Sequence, residues 1–144
     1  MALILVVDDE PDLLGLLVDQ ISSLGYDVVA ARDGTEGLRL ALDRQPDVIL
    51  TDVIMPYMDG PEMLERLRSR PETRGIPVIA LTALTDRRTR TRLGALGVRG
   101  LLAKPYSMRE LAERIREALP PSAWGDSVTG VGKRPPSLPP RTRR

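Results

Sequence analysis

The chain has 144 residues, 42% of them hydrophobic, which suits one domain with a genuine core plus a tail. It contains no cysteine and no histidine, which excludes disulfides, thiol nucleophiles, cysteine-based zinc sites, the Ser/His/Asp triad and histidine-ligated metals. The net charge of +1 conceals an asymmetry, because residues 1–119 hold 16 basic and 19 acidic side chains whereas residues 120–144 hold five basic and one acidic; on charge grounds the body is no nucleic-acid binder.

The N-terminus, MALILVVDDE, lacks the basic start of a signal peptide. No apolar run has membrane-spanning length. A cytoplasmic protein without a membrane partner is expected. Leu3–Val7 reads as a short apolar strand that ends in acids. A helix is expected over 11–24, with Gly25 as the glycine that follows its C-cap. Strands follow at Asp27–Ala31, Asp47–Thr51, Pro77–Thr82 and Arg99–Ala103, with helices over 34–44, 60–70, 86–96 and 107–119. Pro61 suits the first turn of the third helix, Asp86 the N-cap of the fourth, and Ser107 with Glu110 a capping box for the fifth. Continuous apolar strands imply burial on both faces, and five strand–helix repeats predict an open, doubly wound α/β sheet with parallel strands. Residues 120–144 carry six prolines and three glycines and read as a mostly disordered Pro/Arg-rich tail, with Trp124 as its best anchor. The predicted division is therefore 1–119 and 120–144.

Ligands of open parallel sheets sit beyond the carboxyl ends of the strands. The first strand delivers Asp8 and Asp9 to that rim, the third Asp52, the fourth Thr82 and the fifth Lys104. Clustered carboxylates resist ionising together, and a hard divalent cation such as Mg²⁺ resolves the repulsion. Such a cation beside a carboxylate can organise and neutralise an incoming phosphoryl group. Lys104 is the sole lysine among the 16 basic residues of the body, which points to a need for a compact ammonium there.

With VVDDEP at 6–11, DVIMPYMDG at 52–60, ALTA at 80–83 and AKPY at 103–106, the chain resembles the receiver domains of two-component response regulators over residues 1–119. The resemblance implies the flavodoxin-like (βα)5 fold with strand order 2-1-3-4-5. It implies that Asp52 is the phosphoacceptor, and that Lys104 and Thr82 bind the phosphoryl oxygens. Asp8, Asp9, Asp52 and the main-chain carbonyl of Ile54 would hold Mg²⁺, with Mn²⁺ as a substitute. Asp9 would bind directly and Asp8 partly through water. A cis Lys104–Pro105 peptide is also implied. The partners would be a histidine kinase or histidine-phosphotransfer protein and a downstream protein target, with no direct DNA binding. The chain would catalyse only its own phosphorylation and dephosphorylation.

Two features depart from the family pattern. The aromatic switch residue usual three positions before the lysine is Leu101 here, so either Thr82 and Leu101 would form the switch by repacking without a large rotamer exchange, or the output signal would use another face. The positions two past Asp52 and Thr82, Ile54 and Leu84, are apolar where polar groups often orient water, which predicts slow hydrolysis of the aspartyl phosphate. On the first helix, Leu13, Leu16, Leu17, Ile21 and Leu24 read as core, and Leu14 and Val18 as a ridge that is either donor-docking surface or peripheral packing. Arg87, Arg88, Arg90 and Arg92 read as a solvated face of the fourth helix or a patch for an acidic partner. The PxxPxR pattern at 135–141 is assigned no partner. The alternatives are a Mg²⁺-dependent phosphohydrolase, for which Ile54 stands where a second aspartate is needed, an unphosphorylated scaffold, a flavodoxin-like FMN binder and a DNA binder acting through the tail.

Overall fold

The computed structural model describes residues 2–83 and 86–120. The expectations for Leu84, Trp124 and the segment 135–141 fall outside these residues. Strands β1 (Leu3–Val7), β2 (Asp27–Ala31), β3 (Val48–Asp52), β4 (Val78–Thr82) and β5 (Gly100–Ala103) alternate with helices α1 (Pro11–Ser23), α2 (Gly34–Arg44), α3 (Gly60–Arg68), α4 (Arg87–Ala95) and α5 (Met108–Ala118). The strands form one parallel sheet in the order β2-β1-β3-β4-β5.

Each central strand divides its side chains between two cores, as a period of two requires. Ile4, Val6, Val48, Leu50, Ile79 and Leu81 face α1 and α5, where Leu17, Ile21, Leu111 and Ile115 close the layer. Leu5, Val7, Ile49, Val78 and Ala80 face the other helices, meeting Ala41, Met63, Leu64, Leu67 and Leu93. Each such aliphatic side chain contributes about 1.5–3 kcal/mol by leaving water. Helix starts are set by side chains that accept from the first free N–H groups: Asp33 from Glu36, Asp59 from Glu62, Asp86 from Thr89, and Ser107 from Glu110 within a full capping box.

The structure corrects the reading of α1. Its buried positions are Leu14, Leu17 and Ile21, while Leu16 is 48% exposed and Leu13 and Val18 are half-buried. Leu14, 8% exposed, packs into the core beside Leu17, the packing alternative for that ridge, while Val18 is half-buried. The burial stripe runs 14, 17, 21, 24: it keeps Leu17, Ile21 and Leu24 of the predicted one and takes Leu14 in place of Leu16 and Leu13. Leucine or valine occupies 13, 14, 16, 17 and 18, so hydrophobicity alone leaves the helix free to rotate about its axis.

Helix α4 is polar nearly all round, and Leu93 is its only buried residue. Arg68 supplies what apolar burial does not. Its Nε donates to the carbonyl of Leu96 (3.0 Å), Nη1 to those of Arg74 and Ile76 (2.9 Å each), and Nη2 to that of Gly97 (3.2 Å). One guanidinium thus satisfies the last carbonyls of α4 and ties them to the loop after α3, at the negative end of the α4 dipole. Burial, with Arg99 nearby, pushes its pKa down, yet a guanidinium stays charged. Arg68→Ala is expected to destabilise the fold by about 2–3 kcal/mol in urea unfolding, since charged hydrogen bonds contribute about 1.5–3 kcal/mol. Arg68→Lys should recover only part, because an ammonium lacks the planar fork. An unchanged midpoint for Arg68→Ala would contradict this role.

Candidate functional site

The parallel register aligns the carboxyl ends of four strands. Val7 pairs with Ala31 and Thr51, Asp52 with Leu81, and Thr82 with Ala103. The residues just past β1 and β5, and the last residues of β3 and β4, therefore share one rim. There the structure brings together Asp8, Asp9 and Asp52, whose nearest carboxylate oxygens all lie within 4.8 Å of one another. Asp8 is 1% exposed, Asp9 is exposed and Asp52 lies between them.

Among the described residues, Asp52 is held through one oxygen. Its Oδ1 accepts from the N–H of Val53 (2.8 Å) and lies 3.5 Å from the Lys104 ammonium. The N–H of Lys104 donates to the carbonyl of Thr82 (2.9 Å), which fixes the lysine beside the end of β4. Thr82 is itself buried on this rim, and the Lys104–Pro105 peptide is cis. Leu101 is half-buried and packs against the core on the α4 side, while the Ile54 side chain is 62% exposed.

Asp8 is the most constrained group. Its Oδ1 accepts from the N–H of Glu10 (2.9 Å), while Oδ2 is buried with no partner among the described residues. Burial raises its pKa, and the charges of Asp52 and Asp9 add to the rise against the pull of the Glu10 N–H and Lys104. A buried carboxylate oxygen without a donor is costly, and native structures rarely leave one so. The all-oxygen donor set and the buried Oδ2 fit a small hard divalent cation such as Mg²⁺. Tyr106 closes the neighbouring wall: its hydroxyl donates to Gln20 Oε1 (2.9 Å), joining the loop after Lys104 to α1. Burial, and then Asp8, raise the Tyr106 pKa.

Gly60 belongs to the site as well, although Asp59-Gly60 reads in sequence as only a turn before a helix. A Cβ at Gly60 would sit 2.7 Å from the Asp52 carbonyl oxygen and 3.0 Å from Val53 Cα. The Gly60 N–H donates to the Val53 carbonyl (2.8 Å). This close approach folds the loop 53–59 back against the strand end and presents the Val53 N–H to Asp52. The signal was the glycine itself, which alone permits backbone to approach backbone so closely.

The family of response regulator receiver domains matches residues 4–116. The chain belongs to that family. Among solved structures, this receiver is similar to the chemotaxis protein CheY4 of Vibrio cholerae, with a TM-score of 0.79 and 32% identity over 83% of this chain and 99% of that one. It is 38% identical over 81% of its length to a probable transcriptional regulator, ycf27, of Porphyridium aerugineum, covering 47% of that protein. It is 40% identical over 78% of its length to hybrid signal transduction histidine kinase D of Dictyostelium discoideum, covering 7% of it. The receiver thus spans about half the length, or far less, of these curated relatives. The family is a phosphoacceptor signalling module of two-component systems rather than an enzyme for an external substrate, which displaces the phosphohydrolase and FMN readings. Receivers take their phosphoryl group from histidine kinases and bind Mg²⁺ through an acidic pocket. No helix among the described residues is long and apolar enough to cross a membrane.

The raised pKa of Asp8 has a definite sign. Its contribution to stability is full below the ordinary carboxylate range and is lost as pH rises through its raised folded value. In chelator at neutral pH, Asp8→Asn should therefore melt higher than the parent chain, with the gain fading in acid. Mg²⁺ should stabilise the parent, by about 2.7 kcal/mol at a hundredfold excess over its Kd, and leave Asp8→Asn nearly unmoved. A lower neutral melting temperature for Asp8→Asn would contradict this account.

Proposed function

We propose that this receiver is a phosphorylation-dependent switch whose acceptor is Asp52, charged by a histidine kinase or histidine-phosphotransfer protein and read by a downstream protein. The observation that carries the reading is the single-sided hold on Asp52: Oδ1 is taken by the Val53 N–H and faces Lys104, which leaves Oδ2 as the attacking oxygen. Oδ2 attacks the phosphorus of a phosphohistidine, the P–N bond breaks, and the imidazole departs with the electron pair and takes up a proton. The Lys104 ammonium pairs with the phosphoryl oxygens as a compact charge, and the Thr82 hydroxyl donates to them. Asp8, Asp9, Asp52 and the Ile54 carbonyl would hold Mg²⁺, or Mn²⁺ in its place. The bound cation would offset the charge of the carboxylates and of the transferring group.

Formation of the acyl phosphate removes the negative charge of Asp52 from Lys104 and puts phosphoryl oxygens in its place. Thr82 then follows the phosphoryl group, and Leu101, half-buried against the α4-side core, repacks into the space released. No ring rotation is available at that position. This shift of an existing equilibrium is what a partner would read. The body carries more acidic than basic side chains and its rim holds three carboxylates, which favours output by protein contact over DNA binding. The receiver would also catalyse its own dephosphorylation, slowly, because the Ile54 side chain beside the site cannot orient water.

Intact mass after incubation with acetyl phosphate tests the reading. One phosphoryl adduct is expected with Mg²⁺, and none in chelator or in Asp52→Ala. Ile54→Asn should shorten the lifetime of the adduct by about an order of magnitude through an oriented water. An adduct that survives in Asp52→Ala would remove Asp52 from its role.

A further inference from the structure

A cleft of about 200 Å³ opens between α3, α4 and the loop after β3, and none of Asp8, Asp9 and Asp52 lines it. One wall is apolar, built from Val53, Ile54 and Pro61. The other is cationic, built from Arg88 and Arg92, which stand one helical turn apart on the same edge of α4. Arg92 has Glu65 at 3.1 Å in an exposed pair, the kind that contributes little and exchanges readily. Arg88 makes no ion pair among the described residues. Asp59, the acid at the cleft, is committed to capping α3 through the Glu62 N–H (2.9 Å). Two of the four α4 arginines, Arg88 and Arg92, line this edge, with the N-cap acid Asp86 exposed at the start of the helix and near enough to Arg88 to feel its charge.

We propose that the cleft docks a short acidic segment of a partner protein. A carboxylate of that segment sits between Arg88 and Arg92, and an adjacent apolar side chain covers Ile54, Val53 and Pro61. Charge complementarity selects an anion. The apolar wall, with Ile54 62% exposed, selects a peptide among anions. A nucleic acid would bring a row of phosphates toward Asp8, Asp9 and Asp52, since Ile54 is two residues from Asp52. The chain's own residues 120–144 carry five basic side chains against one acidic and share the sign of α4, so they do not fit as occupant. The inference stands whether or not Asp52 accepts a phosphoryl group, because it uses neither Asp52 nor Lys104.

The test is fluorescence anisotropy of the full chain with a dye-labelled peptide that alternates glutamate and leucine. Companion probes replace every glutamate by glutamine or every leucine by serine, and a labelled single-stranded oligonucleotide serves as the nucleic-acid probe. The glutamate peptide is expected to bind roughly tenfold tighter than the glutamine peptide, a difference of about 1.4 kcal/mol. Arg88→Glu should weaken it by roughly tenfold and Arg88→Gln by less, whereas Arg87→Glu, with the same charge change about 100° around α4 and outside the cleft lining, should stay within about twofold. The serine peptide should bind more weakly than its parent, and added salt should weaken all binding. Melting curves of the variants verify that each is folded. Equal losses for Arg87→Glu and Arg88→Glu would overturn the cleft as the site. Tighter binding of the oligonucleotide than of the glutamate peptide would overturn the class of partner, and no binding of any probe would overturn the proposal outright.

Discussion

Three carboxylates within 4.8 Å of one another are expensive to hold, and the rim of this receiver is arranged around that cost. Asp8 bears most of it: nearly all its surface is buried, one oxygen is paired with a backbone N–H, and the other is buried with no donor among the described residues. A folded protein retains such a group when something outside the chain completes it. Lys104 relieves the crowding from one side only. The site is consequently receptive both to a cation and to a group that delivers negative charge with its own counter-ion. Those are the two requirements of reversible phosphoryl transfer to a carboxylate.

The sheet makes the crowding possible. Parallel pairing in register places four strand ends on one rim, so residues 44 positions apart, Asp8 and Asp52, meet without any dedicated loop. Gly60 then lets the start of α3 press against the Asp52 carbonyl, and the loop between them offers its first N–H to the carboxylate. The same loop exposes Ile54, which lines the cleft beside α4. The acidic rim and the arginine-walled cleft therefore share one short segment, with Val53 donating to Asp52 and lining the cleft. Helix α4 has little apolar anchorage and relies on the Arg68 fork at its C-terminal end.

Much of this is legible in sequence because it is local. The strands announce themselves as apolar runs, and the acids, threonine and lysine follow directly at their ends. The helix starts at Asp86 and Ser107 are readable because a capping side chain acts within three residues. What escapes is what depends on rotation and distance. The face that α1 buries is hidden by five apolar residues at 13, 14, 16, 17 and 18, and only packing on Ile4 and Val6 selects 14 over 16. The Arg68 fork is one arginine among 15 in the body, and its acceptors at 96 and 97 lie almost thirty residues away. The part played by Gly60 shows only once Asp52 stands against it.

The central claim is that the phosphoryl group resides on Asp52, and the most direct measurement is chemical mapping of the acyl phosphate. Borohydride reduction of the phosphorylated chain, followed by peptide sequencing in a mass spectrometer, converts a phosphorylated aspartate to homoserine at its own position. The account predicts homoserine at position 52 and nowhere else, dependent on Mg²⁺ during phosphorylation. Homoserine at position 8, 9 or 59, or a phosphoryl group on a hydroxyl that borohydride does not reduce, would contradict it.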